Sequence, residues 1–147
     1  MPNDTPAVPE VSQQAHFLTL RIPGIDNPWP GEGGIYAGLT RDSDGKHYHL
    51  ILGPIATEEM NWDNAVAWAA GLQVDAHHDF TLPTLAEQAL LYATLKNNFA
   101  RDFFWSSEPY AGGPDCAWGR YFSYGDASNN HKSYEYRVAA VRRLFIE

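Results

Sequence analysis

At 147 residues the chain suits one domain with a real core, and 44% hydrophobic with 14% aromatic content fits a compact soluble protein. Eighteen Asp and Glu against ten Lys and Arg give a formal charge of -8. That balance argues against non-specific nucleic-acid binding and docking on anionic membranes, both of which need a basic surface. The single cysteine, Cys116, excludes an internal disulfide and a cysteine-built metal cluster.

The opening Met1-Pro2-Asn3-Asp4-Thr5-Pro6 is neither basic nor apolar, so no signal peptide is expected, nor any bilayer-crossing stretch. Synthesis in a bacterial cytoplasm follows; the final location stays open, because phage components leave a cell by lysis. Residues 1–15, with Pro2, Pro6 and Pro9 among polar residues, read as a flexible tail. Residues 16–147 read as a single domain.

Within that domain His16 to Ile22 alternates, with Leu18, Leu20 and Ile22 on one face, and predicts a strand ended by Pro23-Gly24. Asn27 to Gly34 is a loop by composition. A hairpin follows. Ile35, Ala37 and Leu39 share one face, Tyr48, Leu50 and Leu52 share a face of the return, and Arg41 to Lys46 supplies the turn.

Two helices come next. Asn61 caps the first, whose stripe is Trp62, Ala65, Val66, Ala69 and Leu72. Thr84 and Glu87 form a capping box for the second, which runs from Leu85 to about Asn97 and is apolar around much of its circumference. Three strands close the chain: Phe103 to Glu108, Trp118 to Tyr124 and Tyr136 to Leu144. Loops from Pro109 to Cys116 and from Gly125 to Tyr134 separate them, and both are longer than a tight hairpin needs.

Those loops hold the candidate ligand-binding residues: Tyr110, Asp115, Tyr124, Asp126, Asn129, Asn130, His131 and Tyr134, with Ser128 beside them. They combine flat aromatic area with adaptable hydrogen bonding, the mixture that antibody paratopes use.

Candidate catalytic and metal-ligating patterns are weaker. Asp42-Ser43-Asp44-Gly45 opens like a calcium loop, but position 52 is Leu where the bidentate Glu belongs, so a solvated turn is expected. His47 and His49 share one side of a strand with no third ligand nearby, and read as exposed structural histidines. His77-His78-Asp79 reads as polar connector. Cys116 with His131 is the one nucleophile and base pair to consider, and no local positive charge favours its thiolate. Gly31-Glu32-Gly33-Gly34 lacks the Lys and helix of a phosphate loop. No catalytic residue, metal or cofactor is therefore expected. Trp62, Trp105, Trp118 and Phe122 read as core. Arg120, on the Trp118 and Phe122 face, needs a carboxylate or an exit at the sheet edge, and Arg142 and Arg143 must face opposite sides of their strand.

Asn61-Trp62-Asp63-Asn64-Ala65, Leu82-Pro83-Thr84-Leu85-Ala86-Glu87, Phe104-Trp105-Ser106-Ser107, Ala117-Trp118, Phe122 and Val138 to Arg142 occur in a specific order. Over residues 57–144 this order resembles a bacterial and phage family of unknown function related to the C-terminal domain of the Legionella collagen-like adhesin. Its motifs are a "W-x-x-A" helix, an "L-P-T-x-x-E" helix start, a "W-S-S" strand and a terminal "V-R" strand. The resemblance implies an α+β, C-type-lectin-like fold: two helices flanking a twisted antiparallel sheet with long loops. The family's paired cysteines correspond here to Ala69 or Ala70 and Ala139, so the fold is implied without that disulfide. Glu108-Pro109 falls near the calcium motif of sugar-binding C-type lectins, but Tyr110 follows and no "Trp-Asn-Asp" triplet appears later; a plain strand end is expected.

The resemblance further implies a non-catalytic recognition module of phage or prophage origin, binding a carbohydrate or protein ligand on a host surface. The alternative is a structural or assembly component of a virion, such as a tail fibre, docking to neighbouring subunits and possessing no small-molecule ligand. Nucleic-acid and membrane partners are not expected, and a homo-oligomer would suit a fibre.

Overall fold

The computed structural model describes residues 21–146, which form an α+β unit of two antiparallel sheets and two α-helices. Residues 16–20 of the first expected strand and the 1–15 tail lie outside the described residues. Arg21 and Ile22 precede the first strand, without regular structure.

The first sheet has the order β1-β2-β3-β7, built from β1 (Pro28–Trp29), β2 (Gly34–Arg41), β3 (His47–Ile55) and β7 (Ala139–Phe145). The β2–β3 hairpin closes as its composition predicts. Asp42 Oδ1 accepts from the Asp44 and Lys46 N–H groups at 2.9 Å each, and Gly45 takes φ 83°. This is an Asx turn, which uses the Asp42 carboxylate locally.

The chain then crosses through α1 (Trp62–Ala70) and α2 (Leu85–Leu95) before returning to strand. Asn61 Oδ1 accepts from the Asn64 N–H at 2.9 Å and caps α1. Thr84 and Glu87 form the reciprocal capping box of α2. The second helix ends earlier than its pattern predicts: Lys96–Asn98 is a 3-10 turn. Neither helix is long and apolar enough to cross a membrane.

The second sheet has the order β4-β5-β6, from β4 (Phe103–Pro109), β5 (Cys116–Tyr121) and β6 (Ala127–His131). Here one expectation is corrected. The stretch from Gly125 to Tyr134 is not a loop: its middle is β6, paired with β5 in unbroken register from Cys116↔His131 to Arg120↔Ala127. The strand expected from Trp118 to Tyr124 stops at Tyr121, because Phe122 to Tyr124 form the turn that starts this hairpin. Likewise the last strand begins at Ala139, three residues later than expected.

The two sheets share one body because the approach to β7 pairs with both. The Trp105 N–H donates to Arg137 O and the Arg137 N–H to Phe103 O, joining β4 to the segment that becomes β7. From Val138 to Val141 the run is buried on both faces, as a strand sandwiched between two layers must be. Ala139 and Val141 face the cluster of Leu50, Leu52, Leu91, Leu95, Phe104 and Phe122 beneath α2. Val138 and Ala140 face Phe80, Phe103, Trp105 and Ala117 beside α1. Full burial of each such Phe or Leu side chain stabilises by about 1.5–3 kcal/mol, so the layer around β7 is the main anchor of the fold.

Gly119 fixes how closely β5 lies on this core. A Cβ there would fall 2.3 Å from the Phe103 ring and 2.4 Å from the Phe104 carbonyl oxygen. Only glycine lets the strand approach so near.

Candidate functional site

The register of the β5–β6 hairpin decides where each candidate residue points. The Tyr121 N–H donates to Asp126 O, and the Lys132 N–H donates to Asp115 O. Hydrogen-bonded and non-bonded pairs alternate along an antiparallel ladder. Ser128 and Asn130 therefore turn their backbone groups to β5, whereas Ala127, Asn129 and His131 turn theirs to the open edge. Side chains alternate in the same rhythm. Ser128 and Asn130 share the core face with Gly119 and Ala117, and Asn129 and His131 share the outer face with Trp118 and Cys116.

The outer face is the candidate site. Trp118, Cys116, Asn129 and Tyr110 are half-buried there and His131 is exposed. The Tyr110 ring stands edge-on to Trp118 with centroids 5.4 Å apart. The Tyr110 N–H donates to Cys116 O at 3.0 Å, and Gly113 and Cys116 close the turn, so the loop from Tyr110 to Cys116 is held against the sheet. The result is an aromatic platform of two nearly perpendicular rings, with an amide and an imidazole on the same face of the adjoining strand.

The eight expected residues do not form one cluster. Tyr110, Asp115, His131 and Tyr134 gather at one end of the hairpin, where the Tyr134 N–H donates to His131 O and their rings lie 5.9 Å apart. Tyr124, 80% exposed, and Asp126 sit at the other end, beyond a strand about 13 Å long by its rise per residue. Asn129 lies between them on the outer face. Asn130 points the other way, with its Nδ2 buried and without a hydrogen-bond partner among the described residues. It is thus outside the platform. Trp118, expected in the core, belongs to the platform instead; its place opposite Asn129 was hidden while β6 read as a loop.

Trp62, Trp105 and Phe122 are core, as expected, although Trp62 is only half-buried. The Trp105 indole N–H donates to Met60 O and that of Trp62 to Ser106 O, both at 2.9 Å. Arg120 found backbone carbonyls rather than a carboxylate bridge, donating to Gly125 O at 2.7 Å and Leu85 O at 3.1 Å. Burial lowers its pKa, against the raising effect of the Asp126 charge.

A polar cleft of about 440 Å³ opens between the β2–β3 turn and the start of α2, lined by Asp42, Tyr48, Glu87, Glu108 and Arg143 among others. Asp42, Glu87, Glu108 and Arg143 among its charges are already engaged. Glu87, 2% exposed, accepts from Tyr48 Oη at 2.6 Å and from Arg143 Nε and Nη2 at 2.6 and 2.7 Å. Burial alone would raise the Glu87 carboxyl; the bonds and charge of Arg143, with the Tyr48 hydroxyl and Thr84 N–H, overcome it and hold the pKa below the usual glutamate value. Burial and the Glu87 carboxylate together push the Tyr48 hydroxyl far upward. Glu108 Oε2 accepts from the Leu85 N–H at 2.7 Å, so the Glu108-Pro109 acid caps a helix. These groups build the fold.

The histidine expectation needs correction at one position. His47 is exposed, but His49 is 7% exposed, packed with Trp29 and Tyr36 on the face of the first sheet away from α2. Its Nδ1 lies 2.8 Å from the Tyr36 hydroxyl, and burial lowers its pKa. Trp29, from the short edge strand β1, packs its ring over this face, which simple alternation along β3 could not reveal. Of the connector, His77 Nε2 lies 2.9 Å from Gly31 O, and Asp79 accepts from Arg142 Nε at 2.7 Å. Arg142 also donates to Glu32, so both C-terminal arginines are structurally bonded on opposite faces. Among the described residues no three His, Cys, Asp or Glu side chains group as metal ligands would.

Cys116 and His131 are directly opposed on β5 and β6. His131 Nδ1 is 2.8 Å from Ser133 Oγ, and among the described residues no carboxylate is hydrogen-bonded to the ring. No protein-family model matches this chain, and no curated protein matches it.

Proposed function

We propose that this domain is a non-catalytic recognition module with a C-type-lectin-like fold, of phage or prophage origin, that binds a carbohydrate on a host surface. The chain order supports the fold assignment: β3 pairs antiparallel with the last strand, β7, and between them the chain inserts two helices and then a second, three-stranded sheet. The sequence motifs of the adhesin-related family fall on the same elements.

The observation that carries the reading is the platform of Trp118 and Tyr110 beside Asn129 and His131. A sugar ring presents apolar C–H groups that stack on flat aromatic area, and its hydroxyls need donors and acceptors placed at the rim. Asn129 supplies both from one side chain. A protein epitope would use the same groups, yet the platform is small against the roughly 800 Å² per partner of a stable protein interface. Sugar binding is the better fit. The non-catalytic reading is favoured by the engagement of His131 Nδ1 with Ser133, whose Oγ lies 2.8 Å away and whose N–H lies 3.2 Å away, rather than with Cys116.

The test is amide chemical-shift mapping of the full chain during titration with bacterial surface polysaccharide. Shifts concentrated in Cys116–Tyr121 and Ala127–His131 support the reading. Shifts confined to the Arg41–Ser43 cleft or to Tyr124–Asp126 overturn the site, and none at all overturns the ligand class.

A further inference from the structure

Several basic side chains of this acidic chain are committed to the fold. Arg137 pairs with Asp102, Arg142 with Glu32 and Asp79, and Arg143 with Glu87. Arg120 and Lys132 donate to backbone carbonyls. Lys96 and Arg101 do neither among the described residues, and both line one cleft of about 230 Å³.

That cleft lies between the 3-10 turn after α2 and the turn that opens the β5–β6 hairpin. The Phe99 N–H donates to Lys96 O at 3.1 Å and the Phe122 N–H to Asp102 O at 2.8 Å, so the two turns are held side by side. Phe99 and Phe122 are buried, stack with ring centroids 4.1 Å apart and form an apolar wall. Tyr92 joins them, edge-on to Phe122. Lys96 Nζ rests 5.4 Å from the Tyr92 centroid, which keeps the cation at the cleft without using its N–H donors. Asn97 and Ser123 complete the polar rim. No acidic residue lines the cleft, and Asp102, next to Arg101 in the chain, is turned to Arg137 Nε at 3.2 Å. In the cleft beside Glu87 the charges bond one another; here the polar side chains bond no other described residue, and their donors face a ligand.

We infer that this cleft is a second binding site, and that it takes an acidic sugar residue, a hexuronate. Its carboxylate lies between Lys96 and Arg101, where charge-assisted hydrogen bonds are stronger than neutral ones. Its hydroxyls meet Asn97 and Ser123, each able to donate and to accept. Its C–H groups pack on the aromatic wall. The volume, below that of a drug-sized pocket, suits one ring. The site shares no residue with the platform of Trp118 and Tyr110 and does not depend on it. Because Lys96 and Arg101 are exposed, affinity for a single residue is modest.

Amide shift mapping of the full chain, titrated with sodium glucuronate to about 50 mM at constant ionic strength, tests this. Saturable shifts at residues 96–101 and 122–123 are expected, with a dissociation constant of about 1–10 mM. Glucose, acetate and inorganic phosphate should each bind at least about fivefold more weakly, since each lacks either the charge or the ring. Lys96→Gln and Arg101→Gln should each weaken glucuronate binding about threefold, and the double variant about tenfold. Acetate or phosphate binding as well as glucuronate makes this an adventitious anion spot and overturns the sugar. Glucose binding as well overturns the role of the charge. No saturable shift, shifts confined to Cys116–Tyr121 and Ala127–His131, or an affinity unchanged in the double variant overturns the inference outright. Different residues report the two sites, so silence at the platform bears on the platform alone.

Discussion

Trp118 and Asn129 lie directly opposite each other on β5 and β6, at a pair whose backbone groups point away from one another. In such a pair the side chains approach most closely, so the indole and the amide lie on one face of the hairpin. If this face binds sugar, Asn129→Ala should weaken binding to bacterial surface polysaccharide about tenfold, the value of one or two good hydrogen bonds. Tyr124→Ala, at the far end of the hairpin, should leave it within about twofold. Titration calorimetry with the polysaccharide used for the shift mapping compares the two.

Gly119 sets the depth at which that face sits. Gly119→Ala drives a methyl group against the Phe103 ring and the Phe104 carbonyl, and the carbonyl is backbone that cannot swing aside. A loss of about 1–3 kcal/mol is expected, the usual cost of overpacking. Denaturant melts of the variant and the unaltered chain measure it.

Glu87 is the buried anion that ties α2 to β3 and β7. Glu87→Gln keeps the shape but leaves the Arg143 guanidinium without its charge partner, and should destabilise by about 3 kcal/mol. The same carboxylate fixes behaviour in acid. Its folded pKa lies below the unfolded value near 4.3, so its contribution is full above that value and is lost as pH falls through the depressed one. Asp79 acts in the same direction, because Arg142 overcomes its burial and lowers its pKa. The drop in melting temperature below about pH 4.3 should be shallower in Glu87→Gln.

His49 gives a second, milder pH window. Burial lowers its folded pKa, so the unfolded chain takes up a proton first as pH falls below about 6.5. Stability should decline from that pH down to the depressed folded value. His49→Gln should remove this slope while leaving the steeper acid transition of Glu87 in place. Melting curves taken at half-unit steps from about pH 7.5 down to about pH 2.5, from above the ordinary histidine pKa to below the ordinary glutamate one, separate them.

Much of the frame was legible because local chemistry and tertiary need agree. Asn61, Thr84 and Glu87 cap in the sequence and in the structure, and the Val138 to Val141 run lies within the strand expected from Tyr136 to Leu144. β6 was not legible. Ala127-Ser128-Asn129-Asn130-His131 has no β-branched or aromatic residue and no apolar alternation, so only pairing with β5 makes it a strand. Without β6 the alternation along that segment could not be read, and in the structure Asn130 turns to the face of Ala117 and Gly119 while Asn129 lies opposite Trp118. His49 failed for a related reason: what covers it comes from Trp29, on edge strand β1 earlier along the chain, and periodicity carries no such information.

The sugar-platform account is tested most directly by retention of the labelled full chain on an array of bacterial surface glycans, beside Trp118→Ala at equal folded concentration. The prediction is that the unaltered chain holds a discrete set of glycans and that Trp118→Ala loses them by more than about tenfold, as removal of a central aromatic anchor should. Retention of the same glycans with undiminished signal by Trp118→Ala would contradict it.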